Sequence, residues 1–224
     1  MPTLLPALQL AATLAWSPTG RLVLDDSAPV TWAGHQVSYG RREIPFRGEV
    51  TTRSESLLLA RVRFDGTAVV LSQIACAVRF DEVGGARVSM DASALPRSQV
   101  RFEAGTDGVR YAASSEVRWG EEDVDDDGHP GMTVEVDAPV CAGDLYVANR
   151  SLSMAQARFD SSRFFGRAKV KVHQKVLGAR GRCLSAVAED TTDVVRGPFA
   201  YTEVAPGTTC AQLFAQGWPV DAES

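Results

Sequence analysis

From residue 21 onward, apolar and polar side chains alternate with a period of two. In "GVRYAASSEVRW", Val109, Tyr111, Ala113, Ser115, Val117 and Trp119 fall on one side, with Arg110, Ser114, Glu116 and Arg118 on the other. "AKVKVHQKVL" sets Val170, Val172 and Val176 against Lys169, Lys171, His173 and Lys175, and "RVSM" separates Val88 and Met90 from Arg87 and Ser89. Successive side chains of a strand point to opposite faces, so this pattern predicts strands with one wet and one dry face. About nine or ten such strands are expected over 21–224, read as a single domain. Only "CAQLFAQG", Cys210 to Gly217, suggests a turn or two of helix.

Turn residues punctuate the strands. Asp65-Gly66 separates "LLLARVRF" from "TAVVLSQIACAVRF", and Gly84-Gly85 and Asp107-Gly108 follow. Such pairs favour the positive φ of tight hairpin turns and predict an antiparallel meander. A meander with a dry face must close or stack to hide that face and its edges. The long runs between Ser56 and Asp81 favour an all-β, lipocalin-like barrel, with a two-sheet sandwich as the second choice. The inward set mixes Ala, Ser and Val with Trp and Phe, which fits either a filled interior or one holding a small ligand.

Composition narrows the picture. The chain has 224 residues, 45% of them hydrophobic, enough for a sizeable core. Its net charge is −5, from 28 acids and 23 bases. Without the six acids of 121–127 the remainder carries 22 acids against 23 bases, so the acidity is local. No broad positive field suited to nucleic acid is present. Cys76, Cys141, Cys183 and Cys210 are widely spaced and lack zinc-site patterns. They are expected as two disulfides, paired Cys76–Cys141 and Cys183–Cys210, in a secreted or periplasmic protein. Residues 1–20 contain an uncharged apolar run, Leu4 to Trp16, too short to span a bilayer as a helix. It reads as a signal-peptide remnant or a short N-terminal helix.

The chemistry concentrates in "EEDVDDDGHPGM", residues 121 to 132. Asp123, Asp125, Asp127 and Gly128 form D-x-D-x-D-G. Alternate carboxylates converge when a chain curls around an ion, and calcium takes six to eight hard oxygen ligands in flexible geometry. The segment resembles the opening of an EF-hand loop and the Asp-rich loops of thrombospondin type-3 repeats. It also resembles the single DxDxDGxPG loop that some β-rich secreted bacterial proteins carry between strands. The resemblance implies Asp123, Asp125 and Asp127 as ligands of a weakly held Ca2+, with the backbone carbonyl of His129 adding an oxygen. Two positions depart from it: Gly131 offers no side-chain ligand, and Val134 stands where an EF-hand has a bidentate Glu. Glu121, Glu122, Glu135 or water would complete the sphere. The alternative is a solvated acidic turn that keeps a hairpin tip soluble.

Other features carry less. His35, His129 and His173 fall in no HExxH pattern, no GxSxG is present, and "GARGR" lacks the context of a phosphate loop. Arg163, Arg167, Lys169, Lys171, His173 and Lys175 form a basic stripe. It reads as the wet face of a strand or as the contact for an anionic envelope component, such as a lipid headgroup or a polysaccharide. Asn149-Arg150-Ser151 fits the N-glycosylation pattern. The expectation is a non-catalytic binding or structural module of the cell envelope, neither transmembrane nor nucleic-acid binding. The alternatives are a carrier of a small apolar ligand and an enzyme with its site at the barrel mouth.

Overall fold

The computed structural model of the protein describes residues 29–44 and 48–224, and the apolar N-terminal run lies outside the described residues. Ten strands follow one another: β1 (Val30–Ile44), β2 (Gly48–Asp65), β3 (Ala68–Phe80), β4 (Arg87–Met90), β5 (Ser98–Ala104), β6 (Arg110–Trp119), β7 (Met132–Asp137), β8 (Gly143–Phe159), β9 (Arg163–Arg180) and β10 (Thr191–Val204). Two short α-helices, α1 (Arg182–Val187) and α2 (Cys210–Gln216), and one 3₁₀ turn, Ala92–Ala94, complete the described chain. The protein is all-β and antiparallel, as the alternation predicts.

Eight strands form a hydrogen-bonded ring in sequence order, β1-β2-β3-β5-β6-β8-β9-β10, with β10 returning to β1. The closing pairs run from Thr31↔Val204 to Tyr39↔Arg196. The seam between β5 and β6 is the narrowest, with only Glu103↔Ala112 and Ala104↔Tyr111 in register. β4 and β7 stand outside the ring, β7 on the N-terminal part of β8 and β4 on β7. Gly84-Gly85 therefore does not join neighbouring strands. The turn closes one isolated bridge, Val83↔Ala86, and leads the chain away from β3 towards β7. Val109, placed on the dry face by its parity, sits in the turn before β6 and is exposed.

The inward positions divide the interior. Trp32, Leu58, Val62, Leu71, Phe102, Tyr111, Phe164, Phe199 and Tyr201 pack together as one core. Phe164 lies at its centre, with ring centroids 4.7 Å from Phe159, 5.0 Å from Phe102, 5.7 Å from Tyr111 and 5.8 Å from Trp32. The Tyr201 hydroxyl donates to Gln73 Oε1 at 2.6 Å, and burial pushes its pKa up. Gly34 is required beside that ring, because a Cβ there would lie 2.2 Å from Tyr201. A second, smaller core of Met132, Val134 and Val147 packs with Val88, Met90, Trp119 and Val124. Between the two cores the inward residues are small, including the paired Ser115↔Ser153 and Val117↔Ser151.

The last segment covers the outer face of β1 and β2. Ala33, His35, Val37 and Leu57 alternate with the inward set yet are buried. Trp218 Nε1 donates to the Gly34 carbonyl at 3.1 Å, and the Ala222 N–H donates to His35 Nδ1 at 3.0 Å. Arg53 binds Glu223 at 2.7 Å, which with Tyr39 and Glu55 raises the guanidinium pKa.

The cysteines form two disulfides, but the pairing differs from the expected one. Cys76 joins Cys210 and Cys141 joins Cys183, with Cα separations of 5.5 and 5.3 Å. The reason is topological. β8 and β9 are neighbours with Asp144 opposite Arg180, so Cys141 before β8 and Cys183 after β9 meet at one end. Cys76 on β3 is left for the cysteine that opens α2. Peptide mapping without reduction should recover these two linkages and no others. A Cys76→Ser, Cys210→Ser double variant should lose about 2–5 kcal/mol of unfolding free energy in denaturant titration. Phe164→Ala should cost about 3–5 kcal/mol in the same measurement.

Candidate metal centre

The acidic loop is not the tip of a hairpin. β6 and β7 never pair with each other. Both pair with one edge of β8, Trp119 opposite Asn149 and Met132 opposite Val147. They lie end to end along that edge, and residues 120–131 leave the line and rejoin it. The base is pinched by Val124 N–H donating to the Gly131 carbonyl at 2.9 Å and Gly131 N–H donating to the Glu122 carbonyl at 3.0 Å. Val124, the one apolar residue inside the acidic run, reaches the smaller core and anchors the loop there. Gly131 has φ +78°, and a Cβ on it would stand 2.5 Å from the Val147 carbonyl oxygen, so only glycine fits. Asp126 also takes a left-handed conformation, φ 56°, which aspartate tolerates better than most residues.

This curl brings Asp123, Asp125 and Asp127 together, one carboxylate oxygen of each lying within 4.8 Å of the others. Each carboxylate is oriented by donors from the loop or from Thr133 at the start of β7. Asp123 accepts the N–H groups of Asp127 at 3.2 Å and Gly128 at 2.8 Å. Asp125 Oδ2 accepts the Thr133 N–H at 2.8 Å, while its Oδ1 is shielded from solvent and has no partner. Asp127 accepts the His129 N–H at 2.8 Å and the Thr133 hydroxyl at 2.6 Å. That hydroxyl is the main cause holding the Asp127 carboxyl below its ordinary pKa, with the His129 N–H also contributing.

The side chains of the other residues named from the sequence go elsewhere. The His129 ring stacks on Tyr146, with centroids 4.2 Å apart. Glu121 pairs with Lys175 at 2.8 Å, Glu122 accepts the Gly120 N–H at 3.1 Å, and Glu135 accepts the Ser89 hydroxyl at 3.0 Å. None of these four side chains belongs to the aspartate group. Thr133, which the sequence reading passes over, holds two of the three carboxylates. Its signal was a short hydroxyl at the start of a strand, on the face opposite Met132 and Val134. Val134 is itself part of the smaller core, which explains why no carboxylate stands there.

Asn149 is buried, and its amide donates to the Ser151 hydroxyl at 3.0 Å, so this sequon is not presented to solvent. His173 Nδ1 meets the Thr192 hydroxyl at 2.9 Å, and His35 Nδ1 lies 3.4 Å from Asp221 under the C-terminal segment. Among the described residues no helix is long and apolar enough to cross a membrane.

No family model matches the chain, and no curated protein matches it. Fold and site together define an all-β, doubly disulfide-linked protein in which three aspartates of one strand-interrupting loop are close enough to hold a metal ion.

A pH consequence follows from Asp127. Its folded-state pKa is depressed, so its contribution to stability is present above the ordinary aspartate value of 3.8 and is lost as pH falls below it. Thr133→Val removes the hydroxyl donor and should move the Asp127 titration midpoint up, as read by carbon-detected NMR of the carboxylates. An unmoved midpoint would mean that this hydrogen bond is not formed in solution.

Proposed function

We propose that the protein is a non-catalytic binding or structural module of the cell envelope or extracellular space, built on a closed eight-stranded barrel and stabilised by one calcium ion. The observation that carries the reading is the aspartate trio with the solvent-shielded, unpartnered oxygen of Asp125. A buried carboxylate oxygen without a donor costs free energy that a cation would recover. Asp123, Asp125 and Asp127 would supply carboxylate oxygens, and the His129 carbonyl and water the remainder. An all-oxygen set of this kind suits calcium, whereas magnesium favours a tighter octahedron that keeps most of its waters. The ion would clamp the loop where β6 and β7 meet, a stabilising role, since among the described residues no paired helices flank the loop. The two disulfides support an oxidising compartment.

The aromatic core supports the structural module over the carrier of a small apolar ligand, because large side chains fill one end of the ring. His35 and His173 are engaged by the C-terminal segment and by Thr192, which favours the non-catalytic reading.

Calorimetric titration of the chelator-treated protein with calcium should show one site with a Kd of about 10⁻⁴–10⁻³ M. At roughly 100 times that Kd the ion should add about 2.7 kcal/mol to the unfolding free energy. Asp125→Asn keeps an acceptor for the Thr133 N–H but removes the charge, and should abolish both heat and stabilisation. Absence of either effect in the wild-type protein at calcium concentrations up to roughly 100 times that Kd would refute the metal site.

A further inference from the structure

The basic stripe of β9 divides into two kinds of cation. Those at its ends are neutralised, Arg163 by Asp160 at 3.3 Å and Lys175 by Glu121 at 2.8 Å. On the adjoining outer face, Arg150 is held by Glu116 at 3.0 Å. Between them, Arg167, Lys169 and Lys171 alternate with the inward-facing Ala168 and Val170, and all three are exposed. Arg196 of β10 stands directly opposite Lys169 on the same outer face. None of these four cations makes an ion pair among the described residues, in a protein whose net charge is −5.

Apolar side chains are interleaved with these charges. Met154 is in register with Lys169, and Leu152 and Val194 are both in register with Lys171. All three are exposed, Met154 by 60%. The face is also recessed. An open groove of about 770 Å³ runs over Ala112 and Ser114, with Met154, Arg167, Lys169 and Arg196 along one side and the mutually paired Arg101 and Glu103 along the other. Adjacent unpaired cations repel one another and gain nothing within the fold, and a wet strand face needs no cluster of Leu, Met and Val.

From this juxtaposition we infer that the outer face of β8, β9 and β10 is a docking surface for an anionic lipid bilayer. The four cations would meet lipid phosphates, while Leu152, Met154 and Val194 contact the glycerol and upper acyl region. Peripheral attachment draws on these two contributions together, charge attraction to anionic lipid and shallow apolar insertion. A soluble polyanion would use the cations but leave the three apolar side chains without a role, so the bilayer is the better match. The inference rests on the envelope reading above, and it names the partner that reading leaves open.

Vesicle co-sedimentation of the full chain tests it. Running the assay in chelator keeps its outcome separate from that of the calcium site. The protein should bind vesicles of phosphatidylcholine mixed with phosphatidylglycerol and not those of phosphatidylcholine alone, with affinity falling as salt rises. Lys169→Gln and Arg196→Gln should each weaken binding about 5-fold. Met154→Ser should also weaken it, while Arg182→Gln, on α1, should leave it unchanged. Circular dichroism of each variant separates lost binding from lost fold. Equal binding to both vesicle types, no binding at low salt, or an Arg182 effect as large as that of Lys169 would overturn the proposal. So would inorganic polyphosphate binding that is as tight as vesicle binding and insensitive to Met154→Ser, since that result assigns the face to a soluble polyanion.

Discussion

The pairing of the first described strand with the last holds this architecture together. A sheet with one dry face and two free edges exposes both apolar surface and unpaired backbone groups. The ladder from Thr31↔Val204 to Tyr39↔Arg196 removes both exposures at once. Without it, Trp32 on β1 would lose the surroundings supplied by Phe164 and Tyr201 on β9 and β10. The aromatic core is therefore assembled from segments remote in sequence, and it exists only when the ring is complete.

The strand content was legible because one-sided burial forces a period of two, and β6 and β9 show it residue by residue. The turn at Asp65-Gly66 was legible for the same local reason. What the pattern could not carry was partner choice. Gly84-Gly85 forms a tight turn as expected, yet the strand after it goes to β7, because periodicity says which face a residue takes and not which strand lies alongside. The cysteines failed in the same way. Cys141 meets Cys183 because β8 and β9 are neighbours, and that adjacency is a property of the sheet rather than of spacing.

The acidic segment was partly readable. The alternation of Asp123, Asp125 and Asp127 before Gly128 correctly predicts that the three side chains converge. The placement of the loop was not legible, since a loop between two strands ordinarily suggests a hairpin. Here β6 and β7 share one edge of β8, so the loop is an excursion from a nearly continuous line. That placement assigns a task to Val124 and Gly131, the first pinned in apolar packing and the second fitted against the Val147 carbonyl. It also explains Thr133, whose backbone and side chain reach back to two of the carboxylates from the strand that resumes.

The C-terminal segment carries a consequence for the order of events during biogenesis. Strand β1 has β2 available as soon as both are made, but its other edge waits for β10. The outer face of β1 waits longer still, for Trp218 and Ala222, and Cys76 waits for Cys210. Contacts between such distant segments require loop closure over most of the chain, which is slow relative to local pairing. Synthesis from the N-terminal end delivers β10 and Cys210 only after the strands that they complete. Ring closure and the joining of Cys76 to Cys210 are therefore long-range steps that follow the local pairing of β1, β2 and β3.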